Sequence, residues 1–384
     1  MKLMSAEARD ANTWIEIEAA AVENNVAVFR ELIGPERVLT AVVKSDAYGH
    51  GLLPVSRVAL SAGADWLGVF DADEGFALRE RGVDAPVIVL GPTRTGQLDR
   101  ALDSGFRLTV ASIDAARRLA DHPRSGGSRA HLKLETGTNR QGLGADELVE
   151  SVGLLREAGV EIEGAYTHYA DIEDTTDHAF AERQRLRFEQ QLARLAELGV
   201  EPPVPHTACS AAAILFEETY FRMVRVGIGL CGLWPSRETL VSANALGRNR
   251  LGLRPVMTWK TRVAQVKTVG SGEFVGYGRT FRTTRGTRLA VLPVGYADGY
   301  DRKLSGAAHV LIRGVRAPVL GRVCMNMIMV DVTDVDGAVA GDEVVLLGRQ
   351  GDEVITAEDL AGLAGTINYE IVTRAAPGAP RLVV

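Results

Sequence analysis

The run VLTAVVKSDAYGHG, residues 38–51, ends an apolar, β-branched stretch on a lysine, Lys44. A lysine at the end of a buried strand is partly withdrawn from water, loses proton affinity and becomes a nucleophile toward carbonyl groups. Two later stretches bear on which carbonyl that would be. RVGIGLCG, residues 225–232, offers the backbone N–H groups of Gly227 and Ile228, and HTACSAAA offers the Ser210 hydroxyl at the opening of a helix. Helix openings favour anions, so these stretches together form a cup for a phosphate. An amine and a phosphate cup fit an aldehyde cofactor, pyridoxal 5′-phosphate (PLP), held as a Schiff base. Lys44 taken alone favours the alternative, a surface lysine with its stem along apolar neighbours; the cup reverses that preference.

Such groups must be positioned by a scaffold. From about residue 12 to 245 short β-branched runs (RVLTAVV, DWLGVF, PVIVLG, FRLTVA, AHLKLE, VEIEGAYTH) alternate with amphipathic helical stretches such as SIDAARRLADH and ADELVESVGLLREAG. That alternation predicts a parallel sheet with helices outside it. About eight units in roughly 230 residues fit a (β/α)8 barrel, although alternation does not by itself exclude an open doubly wound sheet. In a barrel the chemistry lies at the carboxyl ends of the strands. Lys44 stands there, and Arg140, His168 and Ser210 each follow a later strand, so the four converge on one face. Beyond residue 250 the texture changes to strands broken by Gly and Asp, with TAEDLAGLAG as the one clear helix. The expected domains are 12–248, the barrel, and 249–384, a β-rich C-terminal domain joined by 1–11, with the boundary near SANALGRNRLGLRP.

Composition narrows the class. The chain has 384 residues, 46% apolar and 24% charged, with a net charge of −6. That balance carries no basic stripe for nucleic acid or an anionic membrane, and no run is long and apolar enough to span a bilayer. The opening stretch MKLMSAEARDANTW lacks the apolar core of an export signal, so the expected location is cytoplasmic. Cys209, Cys231 and Cys324 form no CxxC pair, so no metal site or disulfide framework is expected. Their expected role is that of small buried hydrophobes.

Nine stretches, AVVKSDAYGHG, KLETGTNRQGLG, YTHYA, HTACSAA, RVGIGL, GYGRTF, LPVGYADGY, GRVCMNM and TINYEIVTR, follow one another in order from Ala41 to Arg374. Their types and spacing resemble the PLP-dependent alanine racemases of fold type III. The resemblance implies that Lys44 carries PLP and acts as one base, that Tyr277 is the second base, and that Arg225 faces the pyridine nitrogen. It implies that His168 links Tyr277 to Arg225, and that Arg140 meets the PLP phenolic oxygen and the substrate carboxylate. Tyr48, Ser210, Gly227, Ile228 and Tyr369 would hold the phosphate. Tyr296 would narrow the entrance, Met325 would meet the substrate carboxylate through its N–H, and Lys133 would be carbamylated. Glu173, Arg302 and Arg322 would line the access corridor. The family is homodimeric, with Tyr277, Tyr296 and Met325 reaching into the partner's barrel. This sequence departs from the family pattern at Cys209, usually Asn, at Cys231, usually Tyr, and at Asn326, usually Asp. Glu135, Thr138 and Gln141 depart as well.

The chemistry makes its own demand. Racemisation removes the α-proton from one face and returns one to the other, so two bases on opposite sides are required. Each positioned transfer contributes roughly 10²–10⁴-fold. A free tyrosine has a pKa of about 10, and a nearby cation favours the phenolate. Arginine only donates, so Arg225 keeps the ring nitrogen unprotonated and the ring a weaker electron sink; a carboxylate there, as in related PLP decarboxylases, does the opposite. Taken singly, His168 reads as a core histidine, Arg140 as a loop arginine and Tyr277 as a sheet-packing aromatic. The expected activity is interconversion of L- and D-alanine for peptidoglycan. The alternatives are a racemase of serine or of a broader amino-acid set, and a non-catalytic PLP carrier.

Overall fold

A computed structural model describes residues 11–248 and 251–384. Its first strand, β1 (Thr13–Ile17), is followed by helix α1 (Ala19–Ile33). Eight parallel strands come next: β2 (Val38–Val42), β3 (Trp66–Val69), β4 (Val87–Val89), β5 (Arg107–Val110), β6 (Arg129–Lys133), β7 (Glu161–Tyr166), β8 (Val204–His206) and β9 (Met223–Val226). They lie in the order β8-β7-β6-β5-β4-β3-β2-β9. The two end strands meet as well: the Arg222 N–H donates to Pro205 O at 3.0 Å and the Arg225 N–H to Ala208 O at 3.1 Å. The sheet is therefore a nearly closed barrel, and the open doubly wound alternative is excluded. Strands covered on both faces need continuous apolar runs, and β2, β4 and β9 are buried almost throughout.

Crossover helices follow the strands: α2 (Leu52–Ser61), α3 (Ala72–Glu80), α4 (Leu98–Asp103), α5 (Ile113–Ala120), α6 (Ala145–Glu157), α7 (Ala179–Glu197), α8 (Ser210–Leu215) and α9 (Arg237–Ala245). Their starts are written locally. Asp71 caps α3 in a capping box with Glu74, and Ser112 and Ser236 cap α5 and α9.

A second unit is built from β1 and eleven later strands. These are β10 (Met257–Arg262), β11 (Gln265–Val269), β12 (Phe274–Val275), β13 (Phe281–Arg282), β14 (Thr287–Leu292), β15 (His309–Ile312), β16 (Val315–Leu320), β17 (Ile328–Asp331), β18 (Glu343–Gln350), β19 (Glu353–Ile355) and β20 (Arg381–Val383). The main sheet runs β11-β14-β17-β16-β15-β18-β10-β1-β20, with β19 on β18, and β12 and β13 form a separate hairpin. The expected helix is present as α10 (Ala357–Ala364). A further helix, α11 (Asn368–Arg374), was not expected. It has seven residues, and Ile371, Val372 and Thr373 are β-branched and weaken the local helix signal; burial of Ile371 and Val372 holds it.

Described residues 20–47, 55–248 and 251–254 form the barrel unit, and 11–19, 48–54 and 255–384 form the strand-rich unit. Strand β1, inside the 12–248 span expected for the barrel, pairs with β10 and β20. Residues 1–10 and 249–250 lie outside the described residues, and with them most of the expected 1–11 segment and the expected boundary. Among the described residues no helix is long and apolar enough to cross a membrane.

Candidate active site

Lys44 directly follows β2 and Val43. The four residues after it, Ser45, Asp46, Ala47 and Tyr48, all have positive φ, between 52° and 55°. The chain leaves the strand in one left-handed turn made without glycine, at a cost of roughly 1–2 kcal/mol per residue. Part of what holds the turn is visible: the Ser45 N–H donates to Glu74 Oε1 at 2.6 Å, and the Ala47 N–H donates to Val43 O at 2.8 Å. The carboxylate that caps α3 thus also grips the turn beside Lys44. Lys44 is half-buried, and burial, followed by the Arg140 cation, lowers its pKa from the ordinary lysine value; Glu74 and Glu173 oppose this. A free amine results more readily than on a surface lysine.

Arg225 lies on β9, next to β2, with Thr40 as its pairing partner. It is buried, and burial pulls its pKa below the usual arginine value. Its Nη2 donates to Thr167 O at 2.9 Å and Thr207 O at 3.0 Å, and its Nη1 donates to His206 Nδ1 at 2.5 Å. Among the described residues these bonds use three of the five guanidinium N–H groups, so two donors remain for a ring nitrogen. His168, expected to bond Arg225, is absent from that set. Burial first, then Arg225, Lys133, Arg140 and Lys44, hold its imidazole well below the usual pKa, so it is neutral at pH 7. Its backbone carbonyl accepts from Thr138 Oγ1 at 2.5 Å and from buried Gln184 at 3.2 Å, which fixes the loop after β7. Thr138, one of the departures, is thereby a positioning contact.

At the ends of β8 and β9, the Ser210 hydroxyl oxygen accepts from the Gly227 N–H at 3.1 Å and the Gly229 N–H at 3.3 Å. Ile228 is buried beside them. Cys209 and Cys231 are buried as expected, and burial pushes the Cys209 thiol up to about 12 and Cys231 higher still, so both stay protonated. The Cys209 thiol points to Glu173 Oε1 at 3.7 Å. Cys324 departs from its expected burial: it is half-buried, on the turn between β16 and β17.

Lys133 ends β6 inside the barrel, with its Nζ 5.3 Å from the Tyr166 ring centroid. Burial lowers its pKa to about 7, with Arg140 and Arg225 adding to the shift and Glu135 opposing it. Arg140 lies exposed on the loop between β6 and α6. The barrel unit therefore gathers Lys44, Lys133, Arg140, His168, Ser210, Arg225, Gly227 and Ile228 at one set of strand ends. That donor set fits PLP: an amine for the aldehyde, a locked guanidinium for the ring nitrogen, a hydroxyl and amides for the phosphate.

The strand-rich unit carries the other expected residues. The rings of Tyr48 and Tyr369 stand 6.0 Å apart. Tyr277 opens a short turn after β12, flanked by Gly276 and Gly278 at positive φ, and is 71% exposed. It lines an open hollow of 590 Å³ with Phe274, Cys324, Met325 and Asn326. The Arg322 guanidinium packs over Gly278. The Tyr296 N–H donates to Cys324 O at 3.0 Å and the Ala297 N–H to Met325 O at 2.9 Å, so the two loops form one wall. Gly295 makes this possible, because a Cβ there would meet Cys324 O at 2.2 Å.

Sequence reasoning passed over four buried groups behind Arg225. These are His206, His131, Glu163 and Tyr166, whose ring stacks on His206 at 4.7 Å. His206 and Tyr166 open the quoted stretches HTACSAA and YTHYA; the grouping of the four carried no spacing signal, because partners on different strands are joined only by folding.

Comparison with known proteins agrees with this arrangement. The family described as "Alanine racemase, N-terminal domain" matches residues 17–235, and "Alanine racemase, C-terminal domain" matches 256–383. The alanine racemase of Symbiobacterium thermophilum is 43% identical over 373 residues, covering 96% of each chain. That of Leptospira interrogans is 36% identical over 375 residues, covering 97% of this chain and 96% of its own. The crystal structure of the Bacillus anthracis alanine racemase with bound L-Ala-P superposes with a TM-score of 0.90 at 36% identity, covering 97% of this chain and 95% of that one.

Proposed function

The chain belongs to the alanine racemase family of isomerases, and from that premise we propose that it interconverts L- and D-alanine with PLP by a two-base mechanism. The observation that carries this reading is the pairing of β2 with β9. It sets the low-pKa amine of Lys44 and the buried, triply bonded guanidinium of Arg225 at the ends of adjacent strands.

Lys44 would hold the cofactor through its amine. Ser210, Gly227, Ile228, Tyr48 and Tyr369 would hold its phosphate, and Arg225 would donate to its ring nitrogen. When bound, PLP supplies the electron sink that makes the substrate Cα–H acidic. Lys44 Nζ takes or returns the Cα proton on one face, and Tyr277 Oη does so on the other. Arg140 and the Met325 N–H hold the substrate carboxylate, and Tyr296 narrows the access. Neutral His168 accepts or donates one hydrogen bond without adding a charge, which suits a link to the tyrosine.

The homodimer follows from the same reading. Tyr277, Met325 (56% exposed), Met327 and Phe274 leave an apolar face on the strand-rich unit, and such faces mark interaction sites. A second copy is the proposed occupant. The proposed setting is the cytoplasm, where D-alanine feeds peptidoglycan.

Lys133 is proposed to be carbamylated. Its amine takes up CO2, forming the N–C bond and releasing one proton, and the carbamate anion would be favoured by the Arg140 and Arg225 cations that disfavour the ammonium form. An amine with a pKa of about 7 is half unprotonated at neutrality, so the modified fraction rises with pH and falls below pH 7. A carbonyl signal in 13C NMR after exposure to labelled bicarbonate, absent in Lys133→Ala, checks this. An identical spectrum from the two proteins sinks it.

Substrate range is tested by steady-state rates on alanine, serine, lysine and arginine with PLP added. Alanine is expected to be fastest. A higher rate on another amino acid would favour the broader racemase; the departures at Cys209, Cys231 and Asn326 bear on this range.

A further inference from the structure

Behind Arg225 a line of buried side chains crosses the barrel interior. Arg225 Nη1 is 2.5 Å from His206 Nδ1, His206 Nε2 is 2.9 Å from His131 Nδ1, and His131 Nε2 is 3.1 Å from Glu163 Oε2. Both imidazoles have 0% exposure. Glu163 is in turn held by Arg107, with Nε to Oε2 at 3.0 Å and Nη2 to Oε1 at 3.2 Å, and Arg129 Nε stands 3.6 Å from Oε1.

The proton positions along this line follow from donor logic. A guanidinium has no acceptor, so His206 Nδ1 must be bare and its Nε2 must carry the proton. His206 Nε2 then donates, so His131 Nδ1 must be bare and its Nε2 must carry the proton. That N–H points at a carboxylate, which accepts. Burial keeps both imidazoles neutral, and the His131 and Arg107 hydrogen bonds outweigh burial at Glu163 to hold its pKa at about 2. Every bond therefore points from the cation to the anion. The place was cleared for this: a Cβ at Gly164 would lie 2.2 Å from His131 Nδ1.

We propose that Glu163 is a positioning residue for Arg225, acting through His131 and His206 to set the imidazole tautomers that aim the guanidinium at the cofactor ring. The proposal rests on the reading of Arg225 as the ring-nitrogen donor. Which tautomer an imidazole adopts is set by the bond its other nitrogen makes, and a wrong tautomer can cripple a site whose geometry is intact.

The test uses the full chain loaded with PLP and labelled at its seven histidines. Two-bond 15N–1H correlation spectra should show His206 and His131 neutral, each protonated at Nε2 and bare at Nδ1. A protonated His206 Nδ1 in the wild-type protein overturns the relay, whatever the cofactor does. Glu163→Gln removes the anionic end at nearly constant shape. It is expected to mix the His206 tautomers, to lower kcat on the order of tenfold with KM within about twofold, and to shift the pH midpoint of the bound-cofactor absorbance. Glu163→Asp should recover part of each. Arg107→Met strips Glu163 of an ion pair but keeps the carboxylate, so it should lower stability while leaving tautomers and pH midpoint in place. The charged groups facing the line are Arg225 and Lys133 at His206, and Arg107 and Arg129 at Glu163; the titratable Tyr166 ring stacked on His206 is a neutral phenol, its pKa raised to about 12 by burial. Wild-type tautomers and kcat in Glu163→Gln, or an equal midpoint shift in Arg107→Met, would overturn the proposal. A normal tautomer pattern without a cofactor band in the wild-type protein would instead overturn the reading of Arg225 on which the proposal rests, and the proposal with it.

Discussion

Lys44→Ala is expected to abolish the absorbance band of the lysine-bound cofactor and to lower racemisation in both directions by more than about 10⁴-fold. Positioned proton transfer alone is worth ~10²–10⁴, and this substitution also removes the amine that anchors the cofactor. The fold should survive. Lys44 is half-buried beside the Arg140 cation, and both burial and Arg140 disfavour its charged form. Removing it relieves the burial cost and the Arg140 repulsion, which outweigh the attraction of Glu74 and Glu173, so the thermal midpoint should hold or rise slightly. The purified variant, scanned by absorbance with PLP added and melted alongside wild type, settles the matter. A surviving band would mean that another amine carries the cofactor.

Tyr277→Phe is expected to lower racemisation roughly 10²–10⁴-fold while leaving stability within about 0.5 kcal/mol, since the side chain is 71% exposed and loses one oxygen. The direction of the loss is more informative than its size. If Tyr277 serves the L face and Lys44 the D face, the variant should still exchange the Cα proton of D-alanine with deuterated solvent. It should lose that exchange for L-alanine and convert neither enantiomer well. Proton NMR of the α position in D2O follows both reactions. Equal exchange from the two enantiomers would remove Tyr277 from the reaction and leave the two-base scheme without its second member.

The groups legible in the sequence were those announced by local pattern. Lys44 showed as a cation closing an apolar strand, and Arg225 and Ser210 as neighbours of glycine-rich or helix-opening stretches. The β–α alternation showed the barrel because strand and helix periodicities are properties of adjacent residues. The pairing β2–β9 did not show, because barrel closure joins residues about 185 positions apart, as in Thr40 and Arg225. The left-handed turn after Lys44 was equally hidden. Ser, Asp, Ala and Tyr do not announce positive φ as glycine would, and contacts such as the Glu74 carboxylate at Ser45 impose it from another strand-helix unit. The bond from Arg225 to His206 was hidden as well, since reach across a barrel depends on which strands are neighbours.

What the sequence alone determined is the inventory: an amine, a guanidinium, a phosphate cup and a distant tyrosine, arranged along a strand–helix repeat that has few ways to fold. Those features are set by residue type and short spacing, which water and backbone geometry read locally. Only the tertiary structure decided the protonation of that inventory. The lowered pKa values of Lys44 and Lys133 and the neutral imidazoles of His131, His168 and His206 arise from desolvation and from charges on other strands. Neither burial nor a cross-barrel neighbour exists in the chain until the sheet curls and brings its two end strands together.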